Sequence, residues 1–224
     1  MEQEDRRTIQ TRTRHLSECY AEHNQARGVG FVFGGEERVA AMRDLLPNRA
    51  ERILDLGCRD GALARALRLE RKRVVGLDID AEALRSAVRD GSLSPLQVDL
   101  WQPLPLRSKT FDLVLAGEVI EHVPFPERLL AEAARILRPG GVIVGSVPNA
   151  FRIKNRLLFL AGREYEYDPT HLRRFSPTSL RELLESHFTR VEIYPRVGRA
   201  VRVWPRMMAN DLVWRGIRLQ GSPR

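Results

Sequence analysis

The sequence has few cysteines and no long apolar run. Its 224 residues include two cysteines, Cys19 and Cys58, which are far apart and too few for a disulfide framework. No stretch approaches the roughly 18 consecutive apolar residues that cross a bilayer. Residues 1–14 lack the apolar core of a secretory signal. We therefore expect a reduced, cytoplasmic protein without a disulfide or a structural zinc site.

Lysine is also scarce, since 34 of the 37 basic residues are arginine. The net charge of +8 lies in residues 150–224, which hold 15 basic and 7 acidic residues, whereas residues 1–149 balance at 22 of each. Such a basic C-terminal third could attract an anionic acceptor, a membrane surface or RNA. A solvated basic surface explains the same excess, so charge alone does not identify a partner.

Two common nucleotide loops are absent. The stretch L-D-L-G-C-R-D-G looks like a strand that runs into a glycine turn. The dinucleotide pattern needs glycine where Arg59 and Ala62 stand, and no G-K-S/T follows to make a phosphate loop. The pattern that remains is acid-x-Gly-x-x-x-Gly, formed by Asp55, Gly57 and Gly61. Glycines there let the backbone approach a ligand at a helix N-terminus.

Short apolar runs alternate with amphipathic segments along most of the chain. The predicted strands are 51–57, 72–78, 94–100, 111–117, 141–148, 189–195 and 210–217. The predicted helices are 36–47, 62–69, 80–89, 125–141, 153–162 and 176–188, with Asp80 and Ser176 as N-caps. This order predicts an α/β fold, a Rossmann-like, doubly wound, mostly parallel seven-stranded sheet with helices on both faces and an antiparallel edge strand.

The chain shows no linker that would divide it into two domains. Residues 1–35 are predicted to form an N-terminal arm or lid, in which 5–24 are helical and 27–35 are a glycine-punctuated loop. Residues 36–224 are predicted to form one domain, with an insertion at about 151–175 on the acceptor side.

The glycine loop resembles the first motif of class I S-adenosylmethionine-dependent methyltransferases, acid-x-Gly-x-Gly-x-Gly, although Arg59 replaces the central glycine. Further stretches are similar to the small-molecule group that includes ubiquinone-pathway O-methyltransferases and methionine-biosynthesis W proteins. They are F-D-L-V-L-A-G-E-V-I-E-H-V, L-R-P-G-G-V-I-V, S-V-P-N and T-H-L-R-R-F-S. The resemblance covers roughly residues 50–218. It implies S-adenosylmethionine as cofactor and methyl transfer as the activity.

The same resemblance implies where the cofactor binds. Asp78, at the end of the second strand, would accept hydrogen bonds from both ribose hydroxyls, and Asp99 would contact the adenine amino group. The predicted cofactor-binding residues are Asp55, Gly57, Cys58, Arg59, Gly61, Asp78, Ile79, Asp99, Leu100 and Gly117. We expect the Arg59 side chain to point outward, which a negative φ would allow at little cost. Pointing inward, it would meet the cofactor carboxylate.

The catalytic candidates follow the fourth strand or lie in the insertion: Glu118, Glu121, His122 and His171. Histidine can accept a proton at neutral pH, which suits a phenol or hydroxyl acceptor. Each candidate could instead cap a turn or anchor a loop. The four together resemble a metal site of some RNA 3′-end methyltransferases, but Val123 stands where a further histidine is characteristic. We therefore predict no metal.

The acceptor is predicted to be a small molecule, anionic or lipid-like, bound to a monomer or homodimer. Aromatic side chains offered for its pocket are Tyr20, Phe31, Phe33, Phe151, Phe159, Tyr165, Tyr167 and Trp204, with Arg152, Arg156, Arg173 and Arg174 for an anionic group. Two alternatives stay open. An RNA or ribosome methyltransferase fits the basic C-terminal third, although A-G-E-V replaces the N/D-P-P-Y/F tetrad of amino-methylating enzymes. A non-catalytic partner protein could keep the fold without turnover.

Overall fold

The computed structural model describes residues 17–18, 20, 28, 30, 32, 35–69, 71–91, 93–164, 168, 170–196 and 204–219. Its strands are β1 (Arg52–Leu56), β2 (Arg73–Asp78), β3 (Ser94–Gln97), β4 (Phe111–Gly117), β5 (Leu137–Pro148), β6 (Phe188–Arg196) and β7 (Asp211–Arg218). Its helices are α1 (Gly35–Asp44), α2 (Ala62–Ala66), α3 (Ala81–Asp90), α4 (Pro126–Ile136), α5 (Ile153–Leu160), α6 (Pro177–Glu185) and α7 (Pro205–Met208). A 3-10 turn spans Ile120–His122.

All seven strands form one sheet in the order β3-β2-β1-β4-β5-β7-β6. The first five strands of this order are parallel, whereas β7 runs antiparallel to both β5 and β6. The predicted sheet, with antiparallel pairing at one edge, is therefore confirmed. Strand order reverses between β1 and β4, and ligands of open α/β sheets bind past the carboxyl ends of the strands at such a point.

Helices cover both faces of the sheet because its central strands are apolar on both sides. One core packs Leu54, Val114 and Ile143 against α4 and α6. The other packs Ile53 and Leu113, their neighbours on the opposite face, against α1, α2 and α3. The carboxyl ends of β1, β2 and β4 are thus held on a rigid scaffold. Among the described residues, no helix is long and apolar enough to span a membrane.

The predicted helix starts are confirmed by their capping contacts. The Asp80 carboxylate accepts hydrogen bonds from the backbone N–H groups of Glu82 and Ala83. Ser176 forms a capping box with Ser179 at the start of α6, where Pro177 takes the first helical position.

Several predicted boundaries are wrong by a few residues. The strand predicted for 141–148 begins at Leu137, and the helices predicted for 36–47 and 176–188 end at Asp44 and Glu185. The helix predicted for 125–141, with Pro139 and two glycines as its stop signal, ends a little earlier, at Ile136, because Leu137 already pairs with Phe111 of β4. The strand predicted for 94–100 ends at Gln97, and the helix predicted for 62–69 ends at Ala66. The short helix α7 was not predicted.

Most of the predicted N-terminal arm lies outside the described residues. Ser17, Glu18 and Tyr20 are helical. The Ser17 hydroxyl donates to the carbonyl of Ile79 at 2.9 Å, just beyond β2. The Tyr20 hydroxyl donates to the carbonyl of His122 at 3.4 Å, just beyond β4. These two contacts place the helical residues over the carboxyl edge of the sheet.

Candidate active site

The glycine loop joins β1 to α2 at the point where strand order reverses. Gly57 has a φ of 64° and Gly61 a φ of 77°, a left-handed conformation that L-residues other than glycine rarely adopt. A Cβ atom on Gly57 would lie 2.6 Å from Cγ2 of Val119, so a side chain does not fit there. Gly61 is the N-cap residue of α2. The loop is therefore shaped for close approach of backbone to a ligand.

Arg59 keeps the backbone shape of the glycine that it replaces. Its φ is 49°, so the expected negative φ is wrong. The backbone N–H of Arg59 donates to Asp78 at 2.7 Å, and this contact holds the residue in the left-handed region. The guanidinium donates to the carbonyl of Gly28, and the neighbouring Asp60 carboxylate accepts from the N–H of Gly30. Arg59 and Asp60 thus tie the loop to the N-terminal segment.

We expect the variant Arg59→Gly to change the affinity for S-adenosylhomocysteine by less than about tenfold. The N–H that donates to Asp78 is kept, and glycine relieves a strain of about 1–2 kcal/mol. Arg59→Ala is the matched control, because it also removes the guanidinium but keeps the strain. Urea unfolding should find the glycine variant the more stable of the two. A tenfold or greater loss of affinity in calorimetry would contradict this account.

Two carboxylates follow the neighbouring strands and face the same pocket. Asp78 ends β2, and its two oxygens accept from the N–H groups of Arg59 and Asp80 at 2.7 and 2.9 Å. Burial raises the pKa of Asp78 to about 6, and the backbone hydrogen bonds oppose that rise. Asp99, 6% exposed, lies two residues beyond β3 and accepts from the N–H of Trp101 at 2.9 Å. Each carboxylate is therefore held in place by backbone donors.

Asp55 lies beneath the loop and does not line the pocket. It is 1% exposed, and neither carboxylate oxygen has a hydrogen-bond partner among the described residues. Burial, with a contribution from the nearby charge of Asp78, raises the pKa of Asp55 to about 8. A carboxyl group in this position is stable in its protonated form.

The variant Asp55→Asn is expected to be more stable than the native protein, by an amount that grows between about pH 5 and pH 8. The pKa of Asp55 is raised from 3.8 to about 8 on folding. The contribution of Asp55 to stability is therefore greatest below its pKa in the unfolded chain. It is lost as the pH rises through its pKa in the folded protein. Asparagine does not titrate. Urea unfolding of the ligand-free proteins should show that the difference in unfolding free energy between the variant and the native protein grows by at least ~1 kcal/mol over this pH range. A constant gap would contradict the prediction.

One pocket collects most of the predicted cofactor residues. It is lined by Gly57, Cys58, Arg59, Asp78, Ile79, Asp99, Leu100 and Gly117 from the predicted set, whereas Asp55 and Gly61 do not line it. Of the catalytic candidates, Glu118 and His122 line the pocket. Its other described lining residues are Tyr20, Val32, Arg38, Asp60, Ala62, Leu63, Trp101, Val119 and Val123. The Cys58 thiol is free and buried, and burial raises its pKa well above the ordinary range; Cys19 lies outside the described residues.

Arg38 is the charged residue that the sequence did not single out. It lies on α1, is 3% exposed, and its Nη1 contacts the Glu118 carboxylate at 2.9 Å and the Ser146 hydroxyl at 3.0 Å. The same hydroxyl donates to Glu118 at 2.8 Å. Glu118 has a φ of 56°, so it sits in a strained turn directly after β4. The only sequence signal was an arginine on the apolar side of a helix.

The contacts of His122 determine which nitrogen carries its proton. Nδ1 lies 3.1 Å from the carbonyl oxygen and 3.0 Å from the hydroxyl of Thr170. That hydroxyl donates its own proton to Asp168 at 2.5 Å. Because a carbonyl only accepts, Nδ1 of a neutral His122 must be the donor. Nε2 is then the nitrogen with the lone pair, and His122 lines the pocket.

Glu121 and His171 are close to His122 but do not line the pocket. Glu121 is 1% exposed, and its carboxylate oxygens have no hydrogen-bond partner within the described part of the chain. Burial and then the charge of Glu118 raise the pKa of Glu121 well above its usual range. The His171 ring lies 4.7 Å from the His122 ring, edge-on, and its Nε2 lies 3.6 Å from Asp168.

These side chains also have the spacing of metal ligands. Glu121, His122 and His171 each offer one ligand atom, and the three atoms lie within 4.8 Å of one another. One carboxylate and two imidazoles are a donor set that divalent transition metals accept. Glu118 of the four-residue set is engaged by Arg38 instead. The absence of a metal stays a prediction.

The pocket differs from the predicted acceptor pocket in its aromatic and basic residues. Tyr20 lines it, but Phe151, Phe159 and Trp204 are 41%, 71% and 59% exposed and do not. Phe31, Phe33, Tyr165 and Tyr167 lie outside the described residues. None of the four predicted arginines lines the pocket: Arg152 contacts Asn155 and Asn210, Arg156 donates to Phe151, Arg173 donates to Pro124, and Arg174 is exposed.

A methyltransferase-domain family matches residues 32–187, which include the loop, both carboxylates and His122. The chain belongs to this family. It is 33% identical over 148 residues to a "probable S-adenosylmethionine-dependent methyltransferase" of Mycolicibacterium smegmatis, covering 62% of this chain and 52% of that one. It is 34% identical over 120 residues to a ubiquinone biosynthesis O-methyltransferase of Klebsiella pneumoniae, covering 51% and 49%. The chain thus spans about half the length of these curated relatives.

The fold of the family is also found among solved structures. A SAM-dependent methyltransferase from Thermotoga maritima superposes with a TM-score of 0.71 at 21% identity, covering 91% of this chain and 99% of that one. Family membership and fold together confirm the resemblance to class I methyltransferases and the predicted cofactor, S-adenosylmethionine.

Proposed function

We propose that this family member transfers the methyl group of S-adenosylmethionine to an oxygen atom of a small or lipid-like acceptor. The observation that carries the proposal is the position of His122. His122 lines the pocket that also holds the glycine loop, Asp78 and Asp99. The ubiquinone O-methyltransferase relatives support oxygen as the methylated atom. A cytoplasmic location and a monomeric or dimeric state remain part of the proposal.

The described residues suit the parts of this cofactor. Asp78 is anchored by two backbone N–H groups, and each of its oxygens keeps a lone pair for a ribose hydroxyl. Asp99 and Leu100 would border the adenine. The loop around Gly57 lets the sulfonium end lie against the backbone, near the end of β4. Arg38, Glu118 and His122 line the same pocket.

The methyl transfer itself needs an oxygen nucleophile in line with the methyl–sulfur bond. In the step that we propose, the acceptor oxygen forms the new bond to the methyl carbon and the carbon–sulfur bond breaks. Its electron pair stays on sulfur, and S-adenosylhomocysteine leaves. The hydroxyl proton passes to Nε2 of His122. Thr170 and Asp168 hold Nδ1 as the donor, and the positive imidazolium that results would be stabilised by Asp168.

Calorimetry with S-adenosylhomocysteine, followed by transfer of a radiolabelled methyl group to a panel of phenols and catechols, tests the proposal. Saturable binding and a labelled product would support it. No binding at millimolar ligand would overturn it. Binding without turnover on any acceptor would favour a non-catalytic partner protein. Labelled RNA, with a steep salt dependence of binding, would favour an RNA methyltransferase instead.

The variant Asp78→Ala is expected to weaken binding of S-adenosylhomocysteine by about 10- to 100-fold. A hydrogen bond to a charged group contributes about 1.5–3 kcal/mol. Asp112→Ala is the matched control, because its carboxylate also accepts from two backbone N–H groups, those of Glu51 and Arg52. Asp112 lies at the other end of the sheet, so the Asp112→Ala variant should bind S-adenosylhomocysteine as tightly as the native protein. Equal losses in both variants would show a general effect of destabilisation.

A further inference from the structure

The most exposed apolar side chains of the described residues are concentrated on and around α5. Leu157, Phe159 and Leu160 are 58%, 71% and 80% exposed, and five of the eight residues of this helix are exposed. Phe151, just before the helix, is 41% exposed. Helix α7 packs against α5, and Trp204, 59% exposed, is the residue directly before α7. We call these five side chains the α5 surface. A monomer rarely exposes so many large apolar side chains together without a partner.

The charged residues within and directly beside α5 are basic. Residues 149–163 contain four basic residues and no acidic residue. Lys154, Arg156 and Arg163 are exposed, and Glu164 is the first acid that follows. A short helix with exposed leucine and phenylalanine and a basic flank has the composition of a segment that lies in the headgroup region of an anionic bilayer.

The α5 surface lies at the edge of the sheet that holds the pocket. Helix α5 begins five residues after β5, whose Ser146 contacts Arg38 and Glu118 at the pocket. The segment around Phe175 returns to the same edge, where it bridges to Asn149. A membrane in contact with α5 would therefore be close to the side from which an acceptor enters.

We propose that the α5 surface docks the protein on an anionic lipid bilayer, so that a lipid-like acceptor reaches the pocket from the membrane. Leu157, Phe159, Leu160 and Trp204 enter the interface, and Lys154 and Arg163 contact anionic headgroups. The apolar side chains favour a bilayer over RNA, because leucine offers neither stacking nor charge to a nucleic acid. The docking deepens the proposed function and rests on it only for the nature of the acceptor.

Sedimentation of the 224-residue chain with vesicles tests this proposal. The protein should bind vesicles that contain about one third phosphatidylglycerol at least tenfold more tightly than vesicles of phosphatidylcholine alone, and salt should weaken the binding. The triple variant Leu157→Ser, Phe159→Ser, Leu160→Ser should bind the anionic vesicles at least tenfold more weakly than the native protein. Val88→Ser on α3 is the matched control, because Val88 is 58% exposed outside the α5 surface. It should bind vesicles like the native protein.

Four results would overturn the proposal. They are no binding to anionic vesicles, native binding by the triple variant, a native dimer that the triple variant makes monomeric, and binding of RNA in place of vesicles.

Should the triple variant fail to fold, the double variant Lys154→Glu, Arg163→Glu must show the same tenfold loss of affinity for anionic vesicles. Affinity for S-adenosylhomocysteine is measured in parallel and should not change in these variants. Failure of vesicle binding with retained ligand binding contradicts the docking alone, whereas loss of ligand binding in the native protein contradicts the function alone.

Discussion

Replacing His122 by alanine is expected to lower the rate of methyl transfer by roughly 10²- to 10⁴-fold, the usual contribution of a general base. Affinity for S-adenosylhomocysteine should remain close to native, because the loop and Asp78 are unchanged. The two effects are separated by calorimetry and by single-turnover transfer of a radiolabelled methyl group to a phenol that the native protein accepts. A native rate in the variant would exclude His122 as the base.

The role of Thr170 can be tested without knowledge of the acceptor. Nitrogen-15 NMR of the ligand-free protein should show His122 with its proton on Nδ1, the tautomer that the Thr170 carbonyl requires. In Thr170→Val the link between His122 and Asp168 is lost, so the pH profile of turnover should shift, while Thr170→Ser should restore it. A neutral imidazole with its proton on Nε2 in the native protein would contradict the proposed route of the proton.

Replacing Arg38 by methionine is expected to lower the free energy of unfolding by roughly 3–5 kcal/mol, the effect of leaving one partner of a buried ion pair without its counter-charge. Arg38 is 3% exposed, and its partner Glu118 is 12% exposed. Asp211 lies in the same charged group. Burial and the charge of Glu118 raise its pKa to about 7, and Arg38 lowers it. Without Arg38, the carboxyl groups of Glu118 and Asp211 therefore lose a positive charge that offsets the effect of one on the other.

The double variant Arg38→Met, Glu118→Gln is the matched control for this effect. Since the Glu118 carboxylate that paired with Arg38 is then removed as well, and Asp211 no longer meets its charge, most of the lost stability should return. Urea unfolding of the ligand-free proteins at constant pH measures both variants. A double variant as unstable as Arg38→Met would show that packing of the arginine stem, rather than its charge, holds α1 against the sheet.

The pattern of apolar residues was enough to predict the sheet. Buried parallel strands such as β4 and β5 need continuous apolar runs, and helices that pack on them need one apolar face. Both signals depend on neighbours along the chain. The helix boundary at Ile136 was missed because Leu137, which looks helical by spacing, pairs with Phe111, about 26 residues away.

The site was predictable only where the chemistry follows a strand end. Asp78 is the last residue of β2 and Asp99 lies two residues beyond β3, and the sheet brings the ends of such parallel strands together. Arg38 was missed because an arginine near the start of a helix usually faces solvent, and only the burial of α1 against β5 turns it to Ser146. Phe159 and Trp204 were placed in the pocket because aromatic residues suit an acceptor, but they are exposed.

The sequence by itself determined the order of the strands along the chain, the glycine loop and the two carboxylates, because these depend on local spacing and on residue type. Tertiary structure decided the left-handed backbone of Arg59, the tautomer of His122, the ion pair of Arg38 and the exposure of the α5 surface. The first three depend on a partner far away in the chain: Asp78 for the Arg59 backbone, Thr170 for His122 and Glu118 for Arg38. Spacing along a sequence does not give the spatial distance between such partners, because that distance is set only when the chain folds.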